Sequence, residues 1–326
     1  MSNKFLNRCM VVAIFAVSVF AGCGEKEADT KAIYRQMGIE YMEKGDYANA
    51  ILSFDEALKQ EVGTVGADEL DIAYYKAAAQ YASGDVDAAM GTYNAIIDFD
   101  KNAYKAYYLR GCLYCKQGNA EAAKADFASA VENQSDDYSL YIEIYENLSA
   151  IGELETGKAY LNQALSMKGK EMADLEYRGQ IYYLLGEYDN AIIELKAALD
   201  TGSTYANLYL AKSYDDMGDK VTAEGYFKTY IAAVPADAVA LNELGEIMLE
   251  KGLYADAVSY FEQGLACDVI PNRGALMHNL VVAYEFNGDF DKAWEVIQEY
   301  VVLFPEDEEA QREYTFLKHR QMKEEE

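Results

Sequence analysis

The sequence predicts an all-α protein assembled from repeated helical hairpins, and three observations carry that prediction. Only 3 prolines accompany 23 glycines in 326 residues, and the runs between glycines are rich in Ala, Leu, Glu and Lys, which are strong helix formers. A glycine followed by a mostly acidic or polar residue recurs at Gly45, Gly84, Gly118, Gly152, Gly186, Gly218, Gly252 and Gly288, in steps of 39, 34, 34, 34, 32, 34 and 36 residues. A small residue and then a large apolar one follow every one of these glycines at constant distances. Self-similarity at such a period marks an array that grows in one dimension, so chain length does not count its domains.

The N-terminus comes first and reads differently from the rest. Lys4 and Arg8 precede the apolar run from Met10 to Phe20, small residues follow, and charge resumes at Glu25, which is the layout of an export signal. The uncharged span from Cys9 to Gly24 is 16 residues, short of the roughly 20 that cross a hydrocarbon core as a helix. Phe20-Ala-Gly-Cys23 resembles the lipobox of bacterial lipoproteins, with Phe20 standing where Leu is usual. The resemblance implies removal of residues 1–22 and a diacylglyceryl group on Cys23, and two acyl chains give stable membrane attachment where one is marginal. It places the chain in a bacterial cell envelope, lipid-anchored and extracytoplasmic, with residues 23–31 as a short polar linker.

Cleavage there removes two basic residues and no acid, taking the formal charge from −28 to −30. Such a charge repels nucleic acid and anionic headgroups, and no basic stripe offsets it. A basic protein partner is compatible with it, as is plain solubility.

Each hairpin is then justified by its columns. Glycine suits the turn because the chain leaves the first helix in a left-handed conformation. Five residues later stand Ala50, Ala89, Ala123, Gly157, Ala191, Ala223, Ala257 and Ala293, small enough to let two helices approach closely. Four residues beyond come Phe54, Tyr93, Phe127, Leu161, Leu195, Phe227, Phe261 and Ile297, the side chains expected to fill the core. Seven residues before the turn lie Gly38, Ala77, Gly111, Gly179, Ala211 and Gly245, while Tyr145 and Val281 break that column, so hairpins four and eight are expected to pack wider. Tyr41, Tyr114, Tyr182, Tyr214 and Tyr284 stand four before, and Pro235 and Pro305 close their units seventeen after.

All this resembles the tetratricopeptide repeat (TPR) family from about Ala32 to Pro305. The resemblance implies a right-handed superhelical solenoid of about eight TPR helix-turn-helix hairpins over residues 32–305. Residues 306–326 form a capping helix and acidic tail, with Tyr314, Leu317 and the stem of Lys318 expected on its inner side. The long first step is taken up by Gln60–Asp68, expected as an exposed loop.

Family members use the concave side, lined by first helices, to hold peptides and extended segments. Carried over by position, the groove includes Tyr74 and Tyr81 in unit two, Lys105, Tyr108, Cys112, Cys115 and Lys116 in unit three, Glu176, Gln180 and Tyr183 in unit five, and Tyr205, Lys212 and Asp215 in unit six. Tyrosine offers a large apolar face and a hydroxyl at small conformational cost. The expected partner-binding groove is therefore Tyr74, Tyr81, Lys105, Tyr108, Cys112, Cys115, Lys116 and Tyr183.

Cys112-Leu-Tyr-Cys115 has redox or metal spacing, yet it falls within a first helix, where the spacing says only that both sulfurs share a face. No histidine lies near it, and nothing puts it at a helix N-terminus that would lower a thiol pKa. Free thiols are expected, with no metal and no cofactor. The two histidines, His278 and His319, have no nucleophile at a recognisable spacing, so no enzyme is expected. The sequence thus predicts a non-enzymatic scaffold that binds a protein or peptide ligand. A structural component of an envelope or secretion complex and an envelope hydrolase using groove carboxylates are the alternatives.

Overall fold

The computed structural model of the protein describes residues 30–60 and 66–324, with side chains through residue 321. Cys23 and the export signal lie outside the described residues. Eight hairpins follow one another, and every described element is a helix: α1 (Thr30–Glu43) and α2 (Tyr47–Lys59), α3 (Ala67–Ala82) and α4 (Val86–Phe99), α5 (Tyr104–Lys116) and α6 (Ala120–Asn133), α7 (Tyr138–Ala150) and α8 (Leu154–Ala164). Then come α9 (Met172–Leu184) and α10 (Tyr188–Asp200), α11 (Ala206–Asp216) and α12 (Lys220–Ala233), α13 (Ala238–Glu250) and α14 (Tyr254–Leu265), α15 (Arg273–Asn287) and α16 (Phe290–Leu303). A last helix, α17 (Glu308–Glu324), follows. The chain divides into two units between Met167 and Lys168. Unit one holds hairpins one to four, and unit two holds hairpins five to eight with α17.

All eight turn glycines have positive φ, from +71° at Gly252 to +90° at Gly84. The turns share one hydrogen-bond pattern. Gly45 N–H donates to Met42 O at 3.0 Å and Asp46 N–H donates to Tyr41 O at 2.9 Å, which satisfies two terminal carbonyls of α1. In four hairpins the side chain after the glycine then caps the second helix: Asp46, Asp85, Asn119 and Asp219, as when Asp85 accepts from Ala88 N–H at 2.9 Å and Asp219 from Thr222 N–H at 3.1 Å. This double duty accounts for the Asp or Asn after the glycine in those four hairpins. Between hairpins, Asp237 and Asp307 cap α13 and α17, and each accepts from a tyrosine of the preceding helix: Tyr230 at 2.9 Å and Tyr300 at 2.8 Å.

The core columns sit where spacing puts them. Ala50, Phe54, Ala89, Tyr93, Ala191, Leu195, Ala257 and Phe261 are fully buried. Within a hairpin the first-helix glycine meets the aromatic sixteen residues on: a Cβ on Gly38 would lie 2.4 Å from the Phe54 ring and one on Gly111 2.6 Å from the Phe127 ring. Hairpin four, expected to pack wider because of Tyr145, instead carries the exceptional glycine of the next column. A Cβ on Gly157 would stand 3.1 Å from Tyr145 Cδ2, so the larger side chain on one helix is matched by a smaller one on the other.

Boundaries shift slightly from those expected. α1 begins at Thr30, inside the expected linker, and α3 begins at Ala67, inside the expected loop, with the Glu69 carboxylate accepting from Gly66 N–H. Residues 61–65 of that loop lie outside the described residues. In α17, Ala310 and Leu317 are buried and Tyr314 packs 5.0 Å from the Trp294 ring, whereas Lys318 is exposed, its ammonium 5.9 Å from the Tyr314 ring. No described helix is long and apolar enough to cross a membrane.

Candidate functional site: the first-helix faces

First helices of successive hairpins approach one another, α1 with α3 and α5 with α7 in unit one, α9 with α11 and α13 with α15 in unit two, more than any pair of second helices does. Each unit therefore has a face made of first helices. In unit one, the expected residues of α3 and α5 come to this face but differ in access. Tyr74 is half-buried, 6.4 Å from the Tyr93 ring, and burial pushes its phenol up to about 12. Tyr81 is half-buried beneath the Lys116 ammonium, which stands 4.2 Å from its ring centroid, a cation–π contact. Lys105 is exposed.

Tyr108, Cys112 and Cys115, expected on the groove surface, are buried, with 3%, 1% and 3% of their surfaces exposed. Their shared face of α5 is turned into the hairpin stack. Tyr108 packs 6.0 Å from Phe127, and its hydroxyl accepts from Asn147 Nδ2 of α7 at 3.4 Å and donates to the Glu143 carboxylate. Cys112 lies near the buried Tyr93 phenol. These three side chains are packing groups here, and the accessible part of the expected groove in unit one narrows to Tyr74, Tyr81, Lys105 and Lys116. Cys112, Cys115 and Cys267 form no disulfide among the described residues. Burial pushes the Cys115 thiol up to about 12, so little thiolate exists at neutral pH. Among the described residues no group of three His, Cys, Asp or Glu side chains is arranged to hold a metal ion. With Cys9, Cys23 and Cys267 replaced by serine, Cys112 and Cys115 are expected to resist a maleimide at pH 8 until denaturant is added. Labelling within minutes of the folded protein would mean that the face is open.

Unit two carries the remaining groove residue, Tyr183, half-buried on α9. It belongs to a run of rings: Tyr188 at 5.9 Å, Tyr209 at 5.5 Å edge-on, then Tyr205 5.6 Å from Tyr209 and Tyr230 6.2 Å from Tyr205. Tyr183 and Tyr188 both hydrogen-bond the Asp216 carboxylate; burial, followed by the charge of Asp216, raises the ionisation of the Tyr183 phenol. Lys212 pairs with Glu243 at 3.4 Å, and burial raises the Glu243 carboxyl above its usual range. Further along the face, Glu246 Oε1 accepts from Asn242 Nδ2 at 2.8 Å and Asn279 Nδ2 at 2.7 Å.

The sequence did not reveal the charged groups that clamp the hairpins. Arg110 of α5 forks onto Asp126 of α6, Nε to Oδ2 at 2.7 Å and Nη2 to Oδ1 at 2.6 Å, and donates through Nη1 to Asn94 of α4 at 2.6 Å. In unit two, Arg178 holds the corresponding Glu194, with Nε at 3.2 Å and Nη2 at 2.8 Å converging on one oxygen, Oε2, while Nη1 donates to Gly169 O at 2.5 Å. The signal was present: in both units the arginine stands eight residues before the turn glycine and the acid eight after.

Repeated helical hairpins with side chains presented on first-helix faces define a helical-repeat protein. Two tetratricopeptide repeat descriptions match the chain, one over residues 35–104, 147–206 and 208–268 and the other over 104–137; the chain belongs to the tetratricopeptide repeat family. It is 26% identical over 276 residues to DnaJ homolog subfamily C member 3 of Gallus gallus, covering 74% of this chain and 52% of that one. The chain thus spans about half the length of the curated relative it matches. Among solved structures it resembles a tetratricopeptide repeat protein from Parabacteroides merdae (TM-score 0.56, 14% identity, 78% of this chain and 98% of that one). It also resembles the APC/C hetero-tetramer Cut9–Hcn1 (TM-score 0.50, 14% identity, 98% and 77%). At these identities the likeness is one of fold.

Proposed function

We propose that this chain is a non-enzymatic scaffold for protein–protein interaction, lipid-anchored through Cys23 outside the cytoplasm of a bacterial cell, that holds a segment of a partner protein on its first-helix faces. Membership of a family whose repeats bind proteins and peptides supports the general role. The observation that carries the particular site is the surface of Tyr74, Tyr81, Lys105 and Lys116, in which two half-buried rings of α3, one of them under the Lys116 ammonium, share a face with an exposed Lys105 of α5. Rings of this kind bury apolar area against a ligand while their hydroxyls keep a polar contact. Lys105, exposed and with no ion pair among the described residues, adds a charge at the rim.

The test is cross-linking in cells that make the protein, capture through a C-terminal tag, and mass spectrometry, comparing wild type with Tyr74→Ala/Tyr81→Ala and with Cys23→Ala. A discrete partner recovered by wild type and reduced about tenfold or more by the tyrosine change is expected, since a pair of ring contacts is worth roughly 1.5–3 kcal/mol. Loss of that partner with Cys23→Ala supports the tether. Recovery of the partner undiminished by the tyrosine change removes the site from this face. Recovery of self-peptides alone, equal in all three, favours the assembly role, in which exposed apolar groups of second helices such as Leu52 and Ile193 make contacts between copies.

A further inference from the structure

We infer that the first-helix face of unit two, built by α9, α11 and α13, holds an extended polypeptide segment by its Arg or Lys side chains. The inference rests on the reading that first-helix faces hold partner segments, and adds the chemistry of the segment and the residues that select it.

Three observations converge. The first is the run of rings, in which Tyr205 keeps 44% of its surface exposed and Tyr183 and Tyr209 are partly accessible. Faces of aromatic rings attract cations, guanidinium above all. The second is that carboxylates on this face, Asp216 at the rings and Glu246 further along, are held as acceptors. Asn279 Nδ2 donates to Glu246 Oε1 and, at 3.0 Å, to Asn242 Oδ1, and the buried Asn242 Nδ2 donates to the same Glu246 oxygen. The Glu246 carboxylate is thereby oriented but not neutralised, because no cation stands within ion-pair distance of it among the described residues. Asp216, exposed on the same face, accepts from the Tyr183 and Tyr188 hydroxyls, which leave its charge in place.

The third observation is the state of the nearby lysines. Lys212 faces Glu243, and Lys220 at the start of α12 lies between Asp215 at 2.8 Å and Glu250 at 3.2 Å. Both ammonium groups are taken up by carboxylates of the chain itself, Lys212 by Glu243 and Lys220 by Asp215 and Glu250, so the charges this face leaves uncompensated are those of Asp216 and Glu246. A segment carrying guanidinium or ammonium groups satisfies rings and acceptors together, whereas an acidic segment meets unpaired like charge. Overall acidity alone would attract a basic peptide to any face. The inference therefore stands or falls on whether the attraction is local.

The test uses the full chain in detergent at about 0.15 M salt, where charges more than roughly 8 Å apart are screened. Binding of a fluorescent dodecapeptide of alternating Arg and Ser is followed by anisotropy, with an alternating Glu and Ser peptide as its counterpart. Wild type is compared with Asp216→Asn/Glu246→Gln, near-isosteric changes that keep acceptors for the tyrosines and asparagines. It is also compared with Asp256→Asn/Glu299→Gln, which removes the same charge from exposed positions of α14 and α16. The expected result is binding of the Arg peptide alone, weakened about tenfold or more by the first variant and less than about twofold by the second, because charge-assisted contacts are short-ranged under these conditions. Tyr205→Leu, at a half-exposed position, is expected to weaken it as well. Equal weakening by both double variants, equal affinity for both peptides, or no binding of the Arg peptide overturns the inference. If the Arg peptide fails while capture through the Tyr74 and Tyr81 face persists, this inference fails and the scaffold reading survives; loss of both defeats the scaffold reading too.

Discussion

Asp126→Ala is expected to destabilise unit one by about 3–5 kcal/mol, the usual cost of stripping one partner from a buried ion pair. Asp126 keeps only 5% of its surface exposed, and its two oxygens take both prongs of the Arg110 fork. Removing the carboxylate leaves a guanidinium held between α4, α5 and α6 with the Asn94 hydrogen bond and the Tyr107 ring but no counter-charge from Asp126. Asp126→Asn, which still accepts one bond, should lose less. Arg110→Met/Asp126→Leu should recover much of the loss, since a buried pair exchanged for apolar groups of similar volume is often neutral. Repeat arrays unfold in parts, so a single melting temperature would blur the effect. Amide hydrogen exchange resolves it: protection over residues 104–133 should fall while that over 206–303 is kept. A loss below about 1 kcal/mol would mean that the pair behaves as a solvated surface bridge.

Gly245→Leu is expected to cost about 3 kcal/mol, the upper part of the range for overpacking a core. A Cβ at this position would lie 2.4 Å from Phe261 Cε1, and Phe261 is fully buried with nowhere to retreat. Hairpins two and six carry Ala77 and Ala211 here, so one added carbon is tolerated when the ring opposite is seated differently; a leucine adds three more. The contrast lies at Gly225, in the middle of α12, where nothing stands within 4 Å of an added Cβ. Gly225→Ala should stabilise by about 0.5–1 kcal/mol through helix propensity alone. Urea unfolding of the two variants should move in opposite directions. Movement in the same direction would refute the assignment of Gly245 as the contact point of its hairpin.

Much of this was legible in the sequence because the constraints repeat. A turn that demands positive φ, a contact point that excludes a side chain and a cavity that needs a ring each imposed one residue type at one distance from the glycine. Agreement across eight units separated those columns from chance. Hairpin four shows a limit: Tyr145 breaks its column, and only the structure pairs it with Gly157. The accessible surface was less legible. Position on a helix names a face, and Tyr108, Cys112 and Cys115 do share one, but whether a neighbouring helix covers it depends on packing between hairpins, to which intrahairpin columns are blind. The arginine clamps went unnoticed for a related reason. They occur in two units, at Arg110 with Asp126 and Arg178 with Glu194, so no column of eight announces them. The division after Met167 likewise has no mark in the glycine spacing, which steps by 34 residues from Gly152 to Gly186 as it does elsewhere.

The central claim is that first-helix faces, and not second-helix faces, meet the partner. Photo-cross-linking tests it most directly, with a benzoylphenylalanine placed singly at position 81 or 205 on first-helix faces, or at position 52 or 193, where Leu52 and Ile193 are exposed on second helices. The account predicts cross-links to a protein other than the chain itself from positions 81 and 205 and none from 52 and 193. Partner cross-links from 52 and 193 with none from 81 and 205 would contradict it.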